Sequence, residues 1–266
     1  MQIDKINNLL ELFYKQYKKK NKESIFLKSL KEPRKEYSWE DVYLNINKLS
    51  EEISKYIKKG DRCLLVSENR PEWMISDLSI MLSGGVTVPA YTTYTERDYE
   101  YIIDDCTPTI ILISDKIQYE KIINIVPKKN FIKRIIFFEN IENIDEELNL
   151  TIHDIFKRNN SSNQNFSDLK IQRGDLACII YTSGTQGNPK GVMLSHGGIL
   201  NNCEGAYKLL KTFISKKPKF LTWLPLSHSY EHTVQFVQIV VGAKVFYAES
   251  IDKLIKNMSD CSPEIM

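Results

Sequence analysis

Cys63-Leu-Leu-Val-Ser-Glu-Asn-Arg-Pro-Glu-Trp-Met-Ile-Ser-Asp-Leu-Ser-Ile-Met-Leu-Ser-Gly-Gly-Val-Thr-Val88 decides the fold. Cys63 to Val66 is a short apolar run of strand length. Pro71 opens a helix to Leu82, with Met74, Leu78 and Met81 on one face. Gly84-Gly85 ends that helix, and Val86 to Val88 resumes as a strand. The alternation continues downstream. Thr95 with Asp98 opens a helix through Asp105, Thr109 to Ile113 is a strand, Lys116 to Ile125 a helix, and Arg134 to Phe138 a strand. Upstream, Ser38 before Trp39, Glu40 and Asp41 forms a capping box. The helical stripe Val42, Ile46, Leu49, Ile53 and Ile57 follows it and stops at Gly60. Ile6, Leu9, Leu10, Phe13 and Tyr17 mark an earlier helix. Strands separated by such helices require crossovers, so the expected fold class is α/β, with mainly parallel sheets flanked by helices.

The 266 residues fit one large domain or two small ones. Hydrophobic residues make up 42% and charged residues 26%, which argues against wholesale disorder. Lys+Arg at 36 against Asp+Glu at 34 leaves a net charge of +2, without the basic excess of a dedicated nucleic-acid binder. The five cysteines, Cys63, Cys106, Cys178, Cys203 and Cys261, show no zinc spacing and read as buried reduced thiols. No signal peptide is recognisable, and the most apolar run, Phe236 to Ala248, is interrupted by Gln238 and Lys244. A cytoplasmic location is expected, with peripheral membrane contact left open. Lys18-Lys19-Lys20 could meet anionic lipid, although cations solvating a helix C-terminus are the simpler reading. Asn159 to Asp168 reads as a polar loop.

Chemistry concentrates between Asp175 and Asn202. An apolar strand, Leu176-Ala-Cys-Ile-Ile180, runs into Tyr181-Thr-Ser-Gly-Thr-Gln-Gly-Asn-Pro-Lys-Gly191. Val192-Met-Leu, Ser195-His196 and a helix opening at Gly197 follow. Gly184 and Gly187 let successive N–H groups turn toward one anion. Thr182, Ser183 and Thr185 add hydroxyls, and Lys190 adds a point charge. Such a loop suits a polyphosphate carrying a hard cation such as Mg²⁺. The Walker A pattern fails, because Pro189 precedes Lys190 where glycine is required. A ligand-free turn between strands stays open on the residues alone.

The run Tyr181 to His196 closely resembles the phosphate-binding signature of the adenylate-forming (AMP-binding) superfamily, with Gln186 where that family carries threonine. Ser67-Glu-Asn-Arg-Pro-Glu-Trp73, Gly84-Gly-Val-Thr-Val-Pro-Ala-Tyr-Thr-Thr93 and Leu224-Pro-Leu-Ser-His-Ser-Tyr-Glu231 are similar to segments of its long-chain fatty acyl-CoA synthetase branch. The resemblance implies an ATP-dependent ligase that activates a fatty carboxylate as an acyl-adenylate and passes it to coenzyme A. It implies that Thr182, Ser183, Gly184, Thr185, Gln186, Gly187 and Lys190 hold the phosphates. Thr182 would offer its hydroxyl to Mg²⁺. His228 is the expected catalytic residue beside the substrate carboxylate, with Tyr230 in the acyl pocket. The resemblance also implies that residues 1–266 are a partial AMP-binding domain, lacking its C-terminal part and small lid domain. An inactive nucleotide- or acyl-binding remnant, or a ligase for another carboxylic acid, remains the alternative.

His228-Ser-Tyr-Glu-His232 also fits His-x-x-Glu-His, a zinc-hydrolase signature, which the extended Leu224-Pro225-Leu226 just before it disfavours. Tyr230 reads equally as core packing. His196 reads as structural, His153 carries no functional signal, and Trp73 and Trp223 read as core. Ser67 and Asn69 read as helix caps, and Arg70 as a surface charge.

Overall fold

A computed structural model describes residues 2–142, 150–159, 166, 170–182 and 189–266. In chain order its elements begin with α1 (Leu9–Tyr17), β1 (Ile25–Ser29), β2 (Glu36–Ser38), α2 (Trp39–Ile53), β3 (Arg62–Val66) and α3 (Pro71–Leu82). Then come β4 (Val86–Ala90), α4 (Glu96–Cys106), β5 (Ile110–Ile113), α5 (Lys116–Glu120), β6 (Arg134–Phe137) and α6 (Ile152–Phe156). The chain continues through β7 (Leu176–Thr182), β8 (Lys190–Ser195), α7 (His196–Leu210), β9 (Lys219–Thr222), α8 (Ser229–Val241), β10 (Lys244–Tyr247) and α9 (Leu254–Cys261).

Two sheets result, ordered β6-β5-β3-β4-β7-β8 and β2-β1-β10-β9. Pairing is parallel except for β8 on β7 and β2 on β1, as the alternation of strands and helices predicts. β3 shows why its residues are apolar throughout. Cys63 and Leu65 face the main core with α2 and α3, while Leu64 and Val66 face a second core built on Tyr99, Ile102 and Ile103 of α4. A strand covered on both faces needs no polar alternation. Every residue of α3 is buried; the helix touches β1 on one side and β3 and β4 on the other. It is a filling between the sheets, not a surface helix.

Local signals account for most element starts. Ser38 and Asp41 form a reciprocal capping box, as do Thr95 and Asp98. The helix expected over 116–125 is shorter, because α5 stops at Glu120 and turns replace it. Ile122, Ile123 and Ile125 are β-branched, and Pro127 follows. Ile122 and Ile125 still pack into the second core. Phe236–Ala248 splits into the end of α8 and β10 at Gly242, whose φ of 65° is left-handed. Among the described residues no helix is long and apolar enough to cross a membrane.

Lys20 ends up on a helix C-terminus, but not its own. Its Nζ donates to the Gly242 carbonyl at the end of α8, 2.7 Å away. The five cysteines are free and buried. Within the polar 159–168 segment, Phe166 is buried against Phe13, Tyr14 and Tyr43.

Candidate functional site

A cleft of about 600 Å³ opens where strands of both sheets end. Its walls include the segments after β3 (Ser67–Arg70), β4 (Tyr91–Thr93), β9 (Trp223, Pro225, Ser227) and β10 (Ala248–Ile251). Clefts at the carboxyl ends of parallel strands are the ordinary ligand sites of α/β folds. Trp223 is half-buried and faces this cleft. The expectation that it is core is therefore wrong, whereas Trp73 is fully buried as expected.

One wall is stapled to the other by Asn69. Its Nδ2 donates to the Leu224 carbonyl at 2.6 Å, and its Oδ1 accepts the Leu226 N–H at 3.0 Å. Asn69 does not cap α3: Pro71 sits at the first helical position, so Arg70 is the cap and makes no side-chain capping bond. Nor does Ser67, whose hydroxyl donates to the Glu68 carbonyl. Arg70 is not a solvated surface charge either. Its side chain is largely buried, pairs with Glu139 at 2.9 Å and lies over the Phe138 ring. Replacing Asn69 by alanine orphans two backbone groups, so the unfolding free energy should fall by about 2 kcal/mol. Urea denaturation of the variant measures this, and an unchanged midpoint would refute the staple.

A cluster that sequence reasoning missed reaches the same cleft through Lys35 and Glu72. Glu72 Oε1 accepts from Lys35 Nζ at 3.1 Å and from the Tyr37 hydroxyl at 2.9 Å. Lys35 Nζ also donates to His153 Nε2 at 2.6 Å. Burial alone would raise the Glu72 carboxyl, but Lys35 and its hydrogen bonds outweigh that and hold it below the usual carboxylate range. Burial, and then Lys35, push His153 down; a neutral ring is what an ammonium donor requires. No local signal joins positions 35, 72 and 153.

Thr182 and Lys190 close the β7–β8 ladder as cross-strand partners, both exposed. β7 runs parallel to β4 on its other side, so Thr182 ends at the same carboxyl end of the sheet as the Tyr91–Thr93 wall, although neither Thr182 nor Lys190 lines the cleft. Ser183, Gly184, Thr185, Gln186 and Gly187 lie outside the described residues. Tyr181, immediately before them, is buried and donates its hydroxyl to Asp105 at the end of α4. Gly191 faces Tyr181 across the ladder. A Cβ there would fall 2.7 Å from Ile179 Cγ2 and 3.3 Å from the Tyr181 ring, which explains glycine after Lys190. Gly191→Val should destabilise the chain by about 1–3 kcal/mol through this clash. A thermal melt equal to that of the parent would contradict it.

His228 is the N-cap of α8, exposed, its Nδ1 accepting the Tyr230 N–H at 3.2 Å. Tyr230 is 61% exposed, which overturns core packing for it. Neither residue forms part of the cleft wall, although Pro225 and Ser227 just before them do. No hydrogen bond links His228 or Tyr230 to Thr182 or Lys190 among the described residues. The zinc geometry does not form. His228 precedes the helix, while His232 points its Nε2 into the core at Asp77, 2.8 Å away. His196 is structural as expected, buried, with Nδ1 accepting the Leu9 N–H; burial pushes its pKa down to about 4.

Comparison with known proteins gives the class. The AMP-binding enzyme family model matches residues 13–265, and the chain belongs to that family. It is similar to long chain acyl-CoA synthetase 3 of Arabidopsis thaliana, 29% identical over 245 residues that cover 86% of this chain and 36% of the relative. The chain thus spans about a third of that relative's length. Among solved structures, a red-emitting luciferase from Phrixothrix hirtus superposes with a TM-score of 0.82 at 17% identity, covering 97% of this chain and 49% of the other. A long-chain-fatty-acid-CoA ligase from Archaeoglobus fulgidus gives 0.80 at 19%, covering 95% and 49%.

Proposed function

We propose that this chain supplies the triphosphate-gripping and acyl-side portion of an ATP-dependent long-chain fatty acid:CoA ligase. The observation that carries the reading is the Thr182–Lys190 pair at the mouth of the glycine- and threonine-bearing loop, in a chain that belongs to the AMP-binding family. The acyl-CoA synthetase relative supports the choice of substrate.

In this reading a fatty carboxylate oxygen attacks the α-phosphorus of ATP. Pyrophosphate leaves, and the thiol of coenzyme A then displaces AMP from the acyl carbon. Two anions must be brought together, so positive charge and fixed donors at the phosphates lower the barrier. Lys190 supplies the charge. Thr182, Ser183, Gly184, Thr185, Gln186 and Gly187 supply hydroxyl, amide and N–H donors. Among the described residues no group of three His, Cys, Asp or Glu could hold a metal ion. One hydroxyl at Thr182 fits Mg²⁺ only as one ligand beside phosphate oxygens and water. When bound, the ion would neutralise charge developing on the phosphates. His228 would border the carboxylate from the start of α8, with Tyr230 on the acyl side. The charged cleft walls, with Lys35, Arg70 and Glu72, suit the polar ends of the substrates better than an alkyl chain. The setting is cytoplasmic.

ATP-dependent pyrophosphate exchange with carboxylates of two to eighteen carbons, together with calorimetric titration of ATP·Mg²⁺, tests the reading. Saturable ATP·Mg²⁺ binding is expected, with any exchange strongest for long chains. Binding without exchange for any acid would favour the nucleotide-binding alternative, and no binding at all would end the proposal.

A further inference from the structure

Buried polar atoms that have no hydrogen-bond partner among the described residues gather where α3 meets α8. Trp73, Ser76 and Asp77 follow the i, i+3, i+4 spacing that puts side chains on one face of α3. His232 and Gln235 share a face of α8 in the same way. The two faces meet. Asp77 Oδ2 bonds His232 Nε2 at 2.8 Å and Gln235 Nε2 at 2.9 Å, and the Trp73 and His232 rings stand edge to face with centroids 5.3 Å apart. Each of these side chains is still left with an unpaired polar atom: Trp73 Nε1, Ser76 Oγ, Asp77 Oδ1, His232 Nδ1 and Gln235 Oε1. Thr87 on β4 adds its Oγ1. It stands beside Cys178 in the β4–β7 register, and Cys178 packs into the core that α3 fills and acts on the His232 ring. None of the six residues with an unpaired atom is more than 1% exposed.

A buried polar atom without a partner is strongly destabilising, and so many in one seam point to an occupant. The donors and acceptors select it. Trp73 Nε1 can only donate, Asp77 Oδ1 and Gln235 Oε1 can only accept, and the Ser76 and Thr87 hydroxyls do either. His232 Nδ1 donates as well while Asp77 keeps the ring protonated. The occupant must therefore donate and accept at once. A cation would leave the Trp73 donor unanswered, and Asp77 already has the His232 ring as its countercharge. An apolar guest would answer none of these atoms. Water answers both kinds, and buried water typically makes about three such bonds.

We propose that ordered water molecules occupy the α3–α8 seam, accepting from Trp73 Nε1, donating to Asp77 Oδ1 and Gln235 Oε1, and bonding the Ser76 and Thr87 hydroxyls. The site lies behind the cleft wall rather than in it. Glu72 lines the cleft and directly precedes Trp73. Tyr247 of β10, whose buried hydroxyl also has no partner, interacts with both Glu72 and Glu231. That row of polar groups is the route by which solvent reaches the seam. Because His228 caps α8, the water is part of what seats this helix on α3. The inference does not rest on the ligase reading.

Nuclear magnetic resonance of the whole chain with isotope-labelled tryptophan tests it, the probe being solvent water. The Trp73 indole N–H, assigned by its loss in Trp73→Phe, is expected to cross-relax with water protons, with the sign of a molecule that stays bound longer than the protein tumbles. Should that variant fail to fold, Trp39→Phe and Trp223→Phe assign the signal by elimination, since the chain has three tryptophans. Thr87→Val reads the same seam through stability. It keeps the side chain's shape and deletes one hydroxyl, so loss of its bond to water should raise the unfolding equilibrium constant roughly 2- to 10-fold. A lower urea midpoint reports this. In a dry seam the same change removes an unpaired hydroxyl and raises the midpoint. A raised or unchanged midpoint, or a Trp73 signal that meets no water resonance, would overturn the proposal.

Discussion

Asp77→Ala is expected to destabilise the chain by about 3–5 kcal/mol, because it leaves a buried histidine facing an empty site. Asp77 on α3 and His232 on α8 are 155 residues apart and wholly buried, joined at 2.8 Å. Gln235 donates to the same carboxylate oxygen at 2.9 Å. The node pins α8, the helix that His228 caps, to the helix that fills the space between the sheets. Burial disfavours a charged His232 ring, but Asp77, with Cys178 adding, outweighs it and pushes the pKa up to about 10 from an ordinary 6.5. A raised value means the folded state holds the proton more tightly. The stabilisation is therefore complete below about pH 6.5 and fades as pH rises toward 10. Glu231 next to it acts in the same direction at lower pH. Burial pushes its carboxyl up to about 7 from 4.5, so its contribution is complete below about pH 4.5 and gone above 7. Urea midpoints measured from pH 4 to 10 should show both losses. Glu231→Gln should remove the lower one and raise stability at pH 8 by roughly 2 kcal/mol, whereas Asp77→Asn should remove the upper one. A profile unchanged by Asp77→Asn would show that the pair is not ionic.

Lys190→Ala is expected to weaken ATP·Mg²⁺ binding by about 10- to 100-fold, the range for a lost hydrogen bond to a charged group. Thr182→Ala removes a neutral hydroxyl and should lower affinity only severalfold by the same reasoning. Both side chains are exposed at the end of the β7–β8 ladder, so neither change should move the melting temperature by more than a degree or two. Calorimetry separates the two outcomes. Equal effects from the two substitutions would place the triphosphate away from Lys190.

The chain's own order of residues settled the fold class and much of the local structure. Apolar runs at 63–66 and 110–113, the helical stripe through Val42, Ile46 and Leu49, and the capping pairs Ser38–Asp41 and Thr95–Asp98 are all short-range patterns. Each acts within a few residues, so it can be read without knowing the neighbours. The stretch Tyr181–Gly191, on which the proposed phosphate role rests, was legible for the same reason, since its glycines, hydroxyls and lysine fall within eleven positions of sequence. Tertiary structure alone decided the rest. Asn69, taken as a cap, clamps Leu224 and Leu226; Arg70, taken as solvated, is largely buried and pairs with the exposed Glu139; His153, taken as silent, sits on Lys35; and His232, half of a zinc motif in the sequence, belongs to Asp77. Every one of these partners lies more than sixty positions away. Such contacts depend on which strands become neighbours when the two sheets close over α3, and local propensity contains no term for that pairing.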